Sequence, residues 1–64
     1  MNSDILYRYY KAYIEEANNN NKLDIIKEDI LKAKHQNILA SLHYAKLIRF
    51  IIKRKKENKI SETA

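Results

Sequence analysis

Residues 34–52, KHQNILASLHYAKLIRFII, decide how this chain folds. The first four, Lys34-His35-Gln36-Asn37, form a polar gap with poorer helix formers. The fifteen from Ile38 hold eleven apolar residues, interrupted only by Ser41, His43, Lys46 and Arg49. On a helix, Ile38, Tyr44, Ala45, Ile48, Ile51 and Ile52 gather on one side, because positions three, four and seven apart share a face. Leu39 and Phe50 lie about three turns apart and project from the opposite side, with Leu47 to one flank. A helix that is apolar front and back needs cover on both sides.

Two all-α architectures follow from the gap. If it breaks the helix, Asn37 caps a third helix and the chain is a compact three-helix bundle with the break near 35–37. If it does not, residues 22–57 make one helix about 54 Å long at 1.5 Å per residue. No Gly or Pro enforces a break, and Gln and Lys tolerate helix. The sequence therefore favours a helical hairpin of helix 4–17, an Asn-rich loop and helix 22–57. The long arm would overhang its partner and expose 38–52, so a second chain would have to cover it. In either architecture Leu39, Leu47 and Phe50 point to a homodimer, and the favoured form is the hairpin dimerised into a four-helix-type assembly.

Upstream, Ser3 is a suitable N-cap and Asp4 suits the positive helix end. Leu6, Tyr9, Tyr10, Tyr13 and Ala17 form a stripe opposite Arg8, Lys11 and Glu15. Four tyrosines crowd residues 7–13. They could stack on single-stranded bases, but their spacing matches the core stripe, which favours bulky wall residues whose hydroxyls reach water. Asn18–Asn21 is a plain break, since Asn side chains compete for backbone hydrogen bonds. One Asn can close the first helix in the left-handed region, and Asn20 or Asn21 can cap the next. Leu23, Ile26, Ile30 and Ala33 then share a face, flanked by Leu31.

The chain has 64 residues without Gly, Pro or Cys. That length gives one small domain, near the lower limit for a self-sufficient core. Residues 1–58 are expected to make it, with 59–64 a frayed tail. Lacking Cys, the chain can form neither disulfides nor thiolate metal sites, and it fits a reducing, cytoplasmic setting. The absence of Gly argues against phosphate-cradling loops, so no cofactor is expected. The start MNSDILYRYY lacks the basic and apolar regions of a signal peptide. The 38–52 run falls short of the roughly 20 residues of a transmembrane helix.

Charge points to a partner. Residues 1–30 carry four basic and six acidic groups, net −2, and residues 31–64 carry nine and two, net +7. Lys46, Arg49, Lys53 and Lys56 follow 3-4-3 spacing and so form one ridge on a helix, joined by Arg54 in the run Lys53-Arg54-Lys55-Lys56. Cations at a helix C-terminus complement its dipole. Four in a row exceed that need, and each could contact a phosphate with release of counterions. The reading is a small non-catalytic regulator that binds nucleic acid, DNA or RNA. The alternative is an inhibitor or adaptor that docks on a larger protein through the apolar face of 38–52. Catalysis is not expected: His35 and His43 are too far apart for one helical metal site, Ser41 and His43 do not face one another, and adjacent Glu15 and Glu16 splay.

Overall fold

A computed structural model describes the backbone of residues 2–63 and the side chains of residues 2–58. It is all-helical and compact, with α1 over Ser3–Glu16, α2 over Asn20–His35 and α3 over Ser41–Thr63. The expected tail, 59–64, has its side chains outside the described residues. The chain takes the three-helix arrangement. The expected continuous helix 22–57 is divided into α2 and α3, and the cause lies in one residue.

Asn37 has φ 61°, the only positive φ among the described residues. Its N–H donates to Lys34 O at 3.0 Å, and the Ile38 N–H reaches back to Ala33 O at 3.1 Å. This pair of bonds is the Schellman closure, in which a left-handed residue after the C-cap turns the chain and satisfies the last carbonyls. Glycine usually fills that place, but Asn visits the left-handed region more readily than other side chains. Asn37 therefore ends α2 rather than capping α3. The closing contact is apolar, since Ile38 packs on the core to which Ala33 belongs.

The starts of α1 and α2 are equally local. Asn2, not Ser3, caps α1, its Oδ1 accepting the Asp4 N–H at 2.9 Å. Asn19, one residue earlier than expected, caps α2 by accepting the Lys22 N–H at 2.9 Å. α1 closes without a left-handed Asn: Ala17 is extended at φ −69°, ψ 119°, and its N–H donates to Tyr13 O and Ile14 O.

The turn at Asn37 carries α3 back alongside both other helices. The amino ends of α1 and α3 meet, with Ser3 touching His43. The amino end of α2 meets the far part of α3, where Asp24 pairs with Lys55. The fold is thus up-down-up, and it measures 40 × 16 × 15 Å. Its core is Ile14 from α1 and Ala17 just after it, Leu23, Ile30 and Ala33 from α2, Leu39 from the turn before α3, and Leu47 and Ile51 from α3. Tyr7 and Tyr10 pack on this core while Tyr9 and Tyr13 are exposed. The inward stripe of α1 is 7-10-14-17, a shifted version of the expected one. Leu39 is 2% exposed and Leu47 0%. The chain covers these two residues itself, so the need for a second chain to cover them, which motivated the hairpin dimer, does not arise. No helix among the described residues is long and apolar enough to cross a membrane.

Candidate nucleic-acid interface

On α3 the buried positions 47, 51 and 58 define the inward direction. At 100° per residue, Lys46, Arg49, Lys53 and Lys56 fall on the far side of the helix, and all four are exposed. From Lys46 to Lys56 the ridge rises ten steps, about 15 Å along the axis. Among the described residues, none of these four cations pairs with a carboxylate. Leu42 and Ile52, 66% and 52% exposed, share this outward face.

Arg54 stands apart from the ridge. It is half-buried and points toward α1, donating from Nε to Ala17 O at 3.2 Å and from a terminal NH to Glu57 Oε2 at 3.0 Å. A guanidinium on the last carbonyls of a helix satisfies an acceptor that would otherwise lack a partner. Lys55 is likewise engaged, with Asp24. The run Lys53–Lys56 thus divides: the middle pair hold α3 against α1 and α2, while Lys53 and Lys56 face outward. Sequence spacing gave no reason to separate Arg54 from its neighbours, because the carbonyl it caps lies 37 residues away.

Beside the ridge, toward α1, lies an open groove of about 270 Å³ lined by Ile14, Glu15, Phe50, Lys53, Arg54 and Glu57. Phe50, three residues before Lys53, and Glu57, four after it, form its α3 wall. Phe50 was expected at a dimer interface; it is partly covered by its own chain, with Lys11 Nζ 5.0 Å from the ring centroid. That distance is within cation–π range.

The tyrosines are split between roles. Tyr9 and Tyr13 lie exposed on the far face of α1, their hydroxyls 2.7 Å apart and their rings edge-to-face. The shared hydrogen bond, then the Tyr9 charge, pushes the Tyr13 hydroxyl up from its ordinary pKa of 10.0. Tyr10 is also raised, by burial first and then by Asp29 and Tyr9. In both cases the surroundings penalise the phenolate.

One cluster escaped the sequence altogether. Ser3 Oγ lies 2.7 Å from His43 Nδ1, and His43 Nε2 lies 3.2 Å from Asp4 Oδ1. The serine oxygen also accepts the Ala40 N–H at 2.8 Å. With the proton on Nε2, the ring accepts at Nδ1 and donates to Asp4, so every contact has a donor and an acceptor. These residue types also occur in nucleophilic triads. Here the serine oxygen holds the start of α3, and the imidazole lies stacked on Tyr7 at 4.8 Å. Ala40, just before α3, donates its own N–H to the α1 hydroxyl, which ties the residue that opens α3 to the start of α1. Only the fold brings positions 3 and 43 together, so no local pattern could have revealed the contact.

Compared with known protein families, curated proteins and solved structures, the chain finds no match. The functional reading therefore rests on the geometry alone.

Proposed function

We propose that this protein is a small non-catalytic regulator that binds nucleic acid through the outward face of α3. The observation that carries the reading is the separation of the cations. Arg54 and Lys55 are engaged within the fold, whereas Lys46, Arg49, Lys53 and Lys56 are exposed along about 15 Å of one helix face. Ammonium and guanidinium groups so placed contact successive phosphates, and affinity comes from the counterions released. Such contacts position a polyanion without reading its sequence. Of the ligands first expected, Arg54 moves to a supporting role.

The competing reading, docking on a protein through the apolar face of 38–52, keeps little surface. Leu39, Leu47 and Ile51 are buried, and the exposed Leu42 and Ile52 lie among the ridge cations.

The test is affinity for a polynucleotide measured against salt. Four contacts give a slope of about three ions released. Lys53→Glu with Lys56→Glu should weaken binding at least tenfold and lower the slope, with helicity by circular dichroism unchanged. A slope below about one ion, or unchanged affinity in the double variant, overturns the reading.

A further inference from the structure

The groove between α1 and α3 gives the ridge a use beyond phosphate contact. We propose that it receives one base of a single-stranded polynucleotide whose backbone lies along Lys46, Arg49, Lys53 and Lys56, and that it prefers bases bearing an exocyclic amine. This rests on the reading above and adds a base specificity to it.

Three observations carry it. First, the groove adjoins the ridge: Lys53 belongs to both, so a strand on the ridge brings its bases to the opening. The four cations lie along one line on one helix, a geometry that follows a single backbone. Second, its accessible apolar wall is the partly exposed Phe50, with the buried Ile14 behind it and polar ends at the rim. Proteins that read single strands take unstacked bases onto aromatic surface and bond their edges. Third, the groove carries two carboxylates, Glu15 and Glu57. Ionised carboxylates only accept hydrogen bonds. Glu57 already accepts from Arg54, and Arg54 spends its Nε on Ala17 O. Glu15 has no hydrogen-bonding or ionic partner among the described residues and is exposed at the rim. A carboxylate accepts from the amine of cytosine but is repelled by the carbonyl oxygen that uracil has in its place.

The experiment compares oligocytidylate with oligouridylate of equal length at pH 7.5, in both the ribose and deoxyribose series. The two bases match in size and differ only along one edge: cytosine has an amine at C4 and a bare N3, uracil a carbonyl at C4 and an N–H at N3. Oligocytidylate should bind about fivefold more tightly in either series, the worth of one hydrogen bond in an open groove. Glu15→Gln, an exposed substitution, should bring the two affinities together by giving the rim a donor as well as an acceptor. Lys53→Glu with Lys56→Glu should weaken both ligands alike. Equal affinities in the wild type, or a cytosine preference that survives Glu15→Gln, overturn the groove assignment while leaving salt-dependent binding in place. Failure of both oligomers to bind in a salt-dependent way overturns the assignment and the ridge reading together.

Discussion

The two connections in this chain differ in how plainly they are written and in how much they decide. Residues 18–21 are four consecutive asparagines. Residues 36–40, Gln-Asn-Ile-Leu-Ala, contain a single one. The conspicuous connection needs no unusual backbone: α1 ends on an extended Ala17, and Asn19 caps α2 from an ordinary conformation. The quiet connection holds a left-handed residue, Asn37, and it determines whether 38–52 leads away from the molecule or returns to it. Abundance of turn formers marks where a helix can stop. The conformation at one position fixes where the next helix goes.

The largest expected effect breaks the consequence of the second connection. Because the chain returns at Asn37, Leu47 is fully buried and Leu42 faces out. Leu47→Ala should cost about 2–5 kcal/mol, enough to unfold much of a domain this small. Leu42→Ala should stay within about 0.5 kcal/mol. Urea denaturation of both variants checks the pair; similar losses would mean that the turn does not aim α3 as described.

A smaller effect sets the two connections against each other directly. Asn37→Ala keeps a Cβ but loses the tolerance of Asn for positive φ, and should cost about 1 kcal/mol, while Asn37→Gly should be neutral or stabilising. Asn18→Ala should change stability by no more than about 0.5 kcal/mol. Equal costs at positions 18 and 37 would erase the distinction.

The start of α3 can be tested separately. Ser3→Ala removes the hydroxyl that accepts the Ala40 N–H and touches His43. It should cost about 1 kcal/mol, although residue 3 lies nowhere near α3 in sequence. Ser41→Ala, at an exposed hydroxyl next to Ala40, should be nearly silent.

The smallest effect concerns pH. Tyr10 and Tyr13 titrate above the ordinary tyrosine value in the folded chain. Raised folded values favour the neutral form, so their contribution to stability is complete below the unfolded pKa near 10 and is lost as pH rises through the folded values. Phenolate absorbance followed against pH should show Tyr10 and Tyr13 ionising above the ordinary tyrosine value, and Asp29→Asn should lower Tyr10. Ionisation of Tyr10 and Tyr13 at the ordinary value would contradict the environments described for them.

Much of the helical content was legible in the sequence. The apolar periodicity of Leu23, Ile30 and Ala33 reports a face that is indeed buried. On α1 the stripe was placed through Tyr9 and Tyr13 instead of Tyr7 and Ile14. An amphipathic tyrosine suits either an inner or a rim position, so periodicity alone leaves the phase open. The path at Asn37 was not legible, because a single Asn reads as a helix residue, an N-cap or a left-handed terminator until its neighbours are placed. The exposed cations of the ridge follow from spacing once α3 is a helix. The loss of Arg54 to Ala17 O, the groove at Phe50 and the Ser3–His43–Asp4 cluster depend on contacts about 35 to 40 residues apart, which helical periodicity does not encode.

The central claim is that α3 folds back along α2. With no native cysteine in the chain, one residue pair can be labelled uniquely. Spin labels at Asn21→Cys and Lys56→Cys, diluted with unlabelled protein and measured by pulsed dipolar spectroscopy, read the distance between the start of α2 and the far part of α3. The bundle predicts a separation within about 20 Å, two helices side by side plus the label arms. A peak near 50 Å, about the length of 35 residues of uninterrupted helix, would contradict it.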